Sequence, residues 1–344
     1  MSQFKIISLV ILSASFLSGC AQNQIFKDRY EDAYLEAYEA SRNSRTYEGG
    51  TFKLVQPKNK EEPCKLNVYY YPEDNKTLHS EFDLSWDGEC KDGLAHGLGR
   101  EVEISKGSHI EQIGYYEKGK AKDYCSLTTL NDNTIETGEC GYDPKVGDYL
   151  SRTIVKDLES EDFEVYVESG INLNQEDFPM LFTRVYLFHD IIEYWKVYPN
   201  FCYTIIDHTN DKSVEKKMDY YMKDFNTGKM NGYAFTSYKT GEISAGELNQ
   251  GEVLNTNPLP SEFYEKVGKL KKEIEQHATK AQNAYKIAMS KKLEYLGKVC
   301  SGEAKIEVLL NNDIREMCSR EYNLSKRIKD KLKTIKKAAE NPRS

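Results

Sequence analysis

Along this chain the spacing of apolar side chains changes character several times. Ile6 to Leu17 is an unbroken apolar run behind a short polar start with one charge, Lys5. It is too short to span a bilayer as a permanent helix and suits the apolar core of a secretory signal. Tyr30, Tyr34, Ala37 and Tyr38 then recur at helical spacing among acidic residues, which predicts an amphipathic helix over Ile25–Arg45, ended by Glu48-Gly49-Gly50. From Thr51 to about Leu150 the period drops to two. Thr51–Val55 and Leu66–Tyr71 alternate apolar and polar side chains and predict strands. Residues 151–222 read as an α+β insert interrupting the sheet or as a small α+β lobe. In it Phe163–Val167 is a strand, and Glu176–Trp195 is a helix with Phe178, Leu181, Phe182, Val185, Phe188, His189 and Ile192 on one face. Phe201–Ile206 follows as a buried strand. After Pro260, glycine and proline nearly vanish. Phe263, Val267, Leu270, Ile274, His277 and Ala281 step by four and three, a coiled-coil-like stripe that slips near Tyr285–Met289 and resumes at Leu293, Leu296 and Cys300. Ser301-Gly302 breaks it, and Leu310, Ile314, Met317, Leu324, Ile328 and Ile335 form a second stripe. Two long helices around a short break predict an antiparallel hairpin.

Two stretches resemble known families. Leu17-Ser18-Gly19-Cys20 directly follows the apolar run. It resembles the lipobox of bacterial lipoproteins, which implies cleavage between Gly19 and Cys20 and a diacylglycerol, with palmitate-type chains, on the Cys20 thiol. The second stretch is Trp86-Asp-Gly-Glu-Cys-Lys-Asp-Gly-Leu-Ala-His-Gly-Leu-Gly99. It resembles a MORN repeat through Trp86, Gly88, Gly93, Gly97 and Gly99, with Cys90 in place of the second aromatic. Weaker copies place turn glycines at Gly119, at Gly228 with Gly232, and at Gly251, and a turn near Asp143-Pro144. A recurring unit of this length implies stacked hairpins that bury their faces only against one another.

The expected class is therefore α+β: an antiparallel β-meander of MORN-like hairpins with an α+β insert and a C-terminal helical hairpin. The divisions are a signal peptide over 1–19, a lipidated N-terminus and an amphipathic helix over 20–50, either packed on the body or serving as a tether, and a sheet over 51–150. The insert occupies 151–222, further hairpins 223–257, and the helical hairpin with its basic tail 261–344.

Composition narrows the role. The 25 tyrosines favour half-buried strand faces. A formal net charge of −8 argues against a general nucleic-acid binder. There are eight cysteines, and export would put them in an oxidising compartment, where structural disulfides are the default. Lipidation of Cys20 leaves seven. Cys64 with Cys90 and Cys125 with Cys140 are the plausible pairs. Cys300 with Cys318 is a third, provided the second helix begins late, near Asn311-Asn312-Asp313, with Asp313 as its cap. Cys202, in a buried strand, is the best candidate for an inert unpaired thiol.

No catalytic or phosphate-binding motif is present, so no enzyme, metal or cofactor is expected. His96 reads as a strand position, His189 beside Asp190 as a core histidine, and His208 between Asp207 and Asp211 as part of a solvated turn. Lys326, Arg327, Lys329, Lys331, Lys333, Lys336, Lys337 and Arg343 crowd the C-terminal stretch. They offer contact with anionic lipid or with the acidic face of a partner. The lipoprotein resemblance, with Ala21 rather than aspartate after the cysteine, implies anchoring in the outer membrane of the cell envelope. The expected role is a membrane-anchored scaffold or binding module with an envelope protein partner, able to self-associate. The alternatives are a periplasmic hydrolase with an unrecognised active site and an accessory lipoprotein of a secretion or surface assembly.

Overall fold

The computed structural model describes residues 29–42, 51–70, 83–105, 107–140, 149–156, 166–172, 180–186, 191–302 and 311–340. Cys20, the turn near Asp143-Pro144, His189 and Arg343 lie outside them, as do the side chains of Lys329, Lys331, Lys333, Lys336 and Lys337. Helix α1 covers Arg29–Arg42. Strands β1 (Thr51–Val55) and β2 (Leu66–Tyr70) form a small separate sheet. The rest of the β structure is one 15-stranded antiparallel sheet. It begins with β3 (Asp83–Trp86), β4 (Glu89–Lys91), β5 (Leu94–Ser105), β6 (Ser108–Glu117), β7 (Lys120–Thr129), β8 (Thr134–Glu139) and β9 (Tyr149–Val155). It continues with β10 (Tyr166–Asn172), β11 (Met180–Tyr186), β12 (Ile191–Val197), β13 (Phe201–Asp207) and β14 (Lys216–Asp224), then β15 (Met230–Tyr238), β16 (Ile243–Asn249) and β17 (Glu252–Asn255). From β5 onward each strand pairs with the next, while β3 and β4 share opposite ends of β5. Helices α2 (Ser261–Cys300) and α3 (Asn311–Glu340) follow.

Two expectations are corrected. Glu176–Trp195 is not a helix: Met180–Tyr186 and Ile191–Val197 are paired strands. The apolar positions there also fit period two, and residues such as Thr183, Val185, Ile192 and Trp195 are β-branched or aromatic. Nor do residues 151–222 form an insert. Their described strands, β9 to β14, continue the same meander without a break.

Several hairpin turns are set by local backbone chemistry. Asp92-Gly93, Lys118-Gly119 and Gln250-Gly251 are two-residue connections with φ positive at both positions, the geometry that matches strand twist. Four residues beyond a turn glycine the positive φ recurs, at Gly97 after Gly93, Asp123 after Gly119 and Gly232 after Gly228. At Gly99 the need is for space. A Cβ there would sit 2.6 Å from the Trp86 ring and 2.7 Å from Gly88 Cα.

One cross-strand row organises the core. The register runs Arg100, Ile113, Ser126, Thr137, Thr153, Ser169, Thr183, Tyr194, Ile205, Tyr220 and Phe235, from β5 to β15. Helix α2 lies across the strands along this row. Phe263 stacks edge-on against Tyr220 and Phe235 at its start, and Tyr295 packs with Ile113 near its end. The dimensions agree. Forty residues span about 60 Å, against about 48 Å for the ten strand spacings from β5 to β15. Residue sizes agree as well. In the middle of the helix Ala278, Ala281, Ala284 and Ala288 are buried, and in the middle of the row so are Ser126, Thr137, Thr153 and Thr183. Small side chains on both surfaces let helix and sheet approach closely there. Aromatic residues fill the wider gap at the start of the helix. Helix α1 packs over the same face beside that start. Tyr34 stacks on Phe201, Tyr38 meets Tyr198 edge-on, and Tyr203 donates to Glu31 (2.6 Å).

Candidate functional site

The densest buried chemistry lies at the other end of α2, where both C-terminal helices meet β5 and β6. Arg100 is fully buried on β5 and points to the helix face between Leu98 and Val102, which share its side of the strand. Asp87, in the tight turn between β3 and β4, accepts from the Arg100 backbone N (2.6 Å) and from Nε (3.2 Å). Tyr295 of α2 donates its hydroxyl to the same carboxylate. Arg100 Nη2 donates to Asp313 Oδ2 (2.7 Å), and Nη1 reaches Met317 Sδ (3.4 Å) and lies 3.7 Å from Glu111 Oε1. Arg320 Nη2 donates to Glu111 Oε2 (2.5 Å). Asp313, Met317 and Arg320 stand at i, i+4 and i+7, so one stripe of α3 supplies all three. Next to them Lys292, buried on α2, pairs with Glu321 of α3 at 2.8 Å.

Burial raises the Asp87 carboxyl above its ordinary pKa, against the pull of Arg100 and the Tyr295 hydroxyl. Burial alone would lower the Arg100 value, but Tyr295, Asp87, Asp313 and Glu111 around it push it up instead. The Tyr295 hydroxyl is raised by burial and by Asp87, so it stays a donor.

The disulfide Cys300–Cys318 pins the start of α3 beside this cluster. As expected, that bond goes with a helix beginning at Asn311. Asp313 lies inside the first turn rather than capping it, and its carboxylate is turned to Arg100 instead. The second disulfide, Cys64–Cys90, ties the segment between β1 and β2 to β4. Cys125 and Cys140 are not bonded, contrary to expectation. Cys125 faces Gly138 in the register, and Cys140 donates its backbone N to Asp123 O, so the two are diagonal rather than opposite. Burial, together with the neighbouring Cys125 thiol, raises the Cys140 thiol far above its usual range. Cys202 is free and buried, and burial raises its pKa too, which makes it inert.

A second polar cluster occupies the opposite face of β5, beneath β1 and β2. Tyr116 donates to Glu101 Oε2 (2.5 Å), accepts from Gln112 (2.6 Å) and packs on Trp86 with ring centroids 4.5 Å apart. Burial raises the Glu101 carboxyl; burial and the Glu101 charge raise Glu103 further.

Among the described residues, His96 and His208 do not build sites. His96, on β5, meets Tyr115 edge-on. His208 Nε2 sits 3.1 Å from Asp219, whereas Asp207 serves Lys271 and Asp211 serves Ser213, so the two flanking acids do not converge on it. On the C-terminal stretch the Lys326 side chain is exposed. None of Asp87, Arg100, Glu111, Tyr295 or Arg320 stood out in the sequence. The one available signal was a charged residue, Arg100, interrupting the apolar alternation of Leu98 and Val102. No family model matches this chain, and no curated protein matches it. Among the described residues no helix is long and apolar enough to cross a membrane.

Proposed function

We propose that the protein is a lipid-anchored cell-envelope scaffold that acts by binding through its sheet, which is built of MORN-like hairpins. The recurring positive φ four residues beyond three turn glycines supports the repeat reading, because one backbone device is reused along the meander. The lipobox-like Leu17-Ser18-Gly19-Cys20 supports the anchor.

The observation that carries the binding reading is the sheet face turned away from α2. Among the described residues no helix packs on it over β11 to β17. It carries Phe182 beside Trp195, Arg184 stacked on Trp195, and Asp219 held by Thr236 and His208. Between Tyr221, Ala234, Leu248 and Val253 it holds an open cleft of about 340 Å³. Aromatic platforms with few, oriented polar groups are what a protein-binding surface uses.

Two experiments test this reading. Photo-crosslinkers at Tyr221 and Thr236, compared with Gln276 and Asn283 on the exposed side of α2, should give a discrete adduct in intact envelopes from the sheet positions only. Adducts from the helix positions alone would refute the sheet as the binding surface. For the anchor, a palmitate analogue should label the wild-type chain and not Cys20→Ser, and an unlabelled wild type would refute it.

A further inference from the structure

We propose that His109, Glu111 and Asp313 form a site for a divalent first-row transition cation, zinc being the one the donor set suits best, and that the cation clamps α3 to β6. The three residues each present a ligand atom, and these atoms lie within 4.8 Å of one another. His109 and Glu111 are two apart on β6 and so share a face; Asp313 reaches them from the first turn of α3. His109 Nε2 and Glu111 Oε1 are 3.6 Å apart. Ligands about 2.0–2.1 Å from a tetrahedral centre lie about 3.3 Å from one another. That pair needs almost no adjustment, and no ligand atom has to close by more than about 1.5 Å.

Two further observations point to a missing ligand rather than to a chance meeting of acids. The Glu111 side chain is only 2 % exposed, yet its Oε1 has no hydrogen-bond partner among the described residues, and neither does the buried His109 Nε2. Two orphaned buried atoms facing each other are costly, and a shared cation satisfies both. The charge of the cluster has the right sign as well. Arg100 and Arg320 are set against Asp87, Glu111 and Asp313, which leaves one negative charge in excess.

The arginines hydrogen-bond to the other oxygens, and at the proposed ligand atom Arg100 Nη1 comes no nearer to Glu111 Oε1 than 3.7 Å. Arg320 holds Glu111 through Oε2, and Arg100 holds Asp313 through Oδ2. Each acid is thus oriented by one oxygen while the other remains available, the way outer partners orient metal ligands. One imidazole nitrogen with two carboxylates suits zinc over calcium or magnesium, which prefer all-oxygen sites. His109 and Asp313 are 29 % and 30 % exposed, so solvent lies at the edge of the site, from where a water can serve as a fourth ligand.

The test uses the purified chain, stripped with a chelator and dialysed against Zn²⁺ or Co²⁺. Wild type should retain one equivalent and give a tetrahedral Co²⁺ absorption spectrum. His109→Ala and Asp313→Asn should each bind at least tenfold more weakly, and His208→Ala should bind as wild type does. In wild type, Zn²⁺ should also protect His109 from diethylpyrocarbonate, as read by mass spectrometry, and this readout decides the matter if the variants misfold. No retained metal, equal binding by His109→Ala, unprotected His109, or calcium binding as tight as zinc would each overturn the proposal.

Discussion

Replacing Arg100 with methionine, a buried side chain of similar reach, isolates what the cluster beneath α3 contributes. The guanidinium is fully buried, and it is the cation paired with Asp87, whose side chain is 1 % exposed. Glu111 keeps Arg320, and Asp313 is exposed enough to be hydrated, so the loss falls mainly on Asp87. Removing one partner of a buried pair costs about 3–5 kcal/mol. Asp87 retains the Tyr295 hydroxyl and the backbone N at position 100, so the lower part of that range, about 3 kcal/mol, is expected at pH 7.5. The deficit must also depend on pH. Burial already raises the Asp87 carboxyl, and losing the arginine raises it further. In that window the folded state binds more protons than the unfolded chain, so the stability of the variant falls as pH rises through it and recovers on acidification. Urea unfolding followed by circular dichroism at several pH values reads both effects. Adding Asp87→Asn should return more than half of the loss, because the orphaned charge goes with it. A deficit below about 1 kcal/mol, or one equal at pH 5 and pH 7.5, would refute this account of the cluster.

Glu103→Gln should flatten the pH dependence of stability and raise stability most at alkaline pH. Both Glu101 and Glu103 are raised above 4.5 by burial, so folding with two carboxylates grows less favourable as pH increases from there; unchanged urea midpoints from pH 5 to pH 8 would contradict it. Gly99→Ala should lose about 1–3 kcal/mol by driving a methyl group into the Trp86 ring, visible as a changed tryptophan emission. Ala281→Leu should cost a similar amount, about 1–3 kcal/mol, by lifting α2 off the row of small residues, whereas Gln282→Leu on the exposed side should leave the urea midpoint unchanged. Opening Cys300–Cys318, which closes a span of 18 residues, should cost about 3 kcal/mol by chain entropy, and Cys300→Ala/Cys318→Ala reads this directly.

Much of the architecture could be read from the residues, and where the reading stopped there is a physical cause. Local signals carried the strands of the first half, the glycine turns and the two C-terminal helices, because each depends on neighbouring residues alone; Cys64–Cys90 and Cys300–Cys318 join cysteines 26 and 18 residues apart and were plausible pairs only. Met180–Val197 is ambiguous because Leu181 and Val185, four apart, satisfy helical and strand spacing together, and only pairing with the neighbouring strands β10 and β13 decides between them. The charged cluster was invisible for a related reason. Arg100 and Asp313 are 213 residues apart, and nothing near either one announces the other. Cys125 and Cys140 show the limit of reasoning from hairpins. The turn was right, but it pairs Thr129 with Thr134, and the unbroken register from there sets Cys125 opposite Gly138, two residues short of Cys140.

The position of the cluster follows from the dimensions of the fold. A helix laid across strands has to cover a row of side chains whose sizes vary, and α2 does so with aromatics over aromatics at its start and alanines over hydroxyls in its middle. At β5 the row ends in Arg100, and no further strand carries it on. Buried there, a long cation needs anions from outside the row. They come from the turn preceding β4, from β6 and from a second helix, which is why α3 must double back after Cys300. The disulfide and the ion cluster thus act on one joint. The covalent link holds α3 close whatever the pH, while Arg100, Glu111 and Arg320 set the angle at which it lies. On this argument, reducing Cys300–Cys318 loosens α3 only as far as the charges permit, and protease cleavage within α3 should accelerate far more in Arg100→Met after reduction than under either change alone.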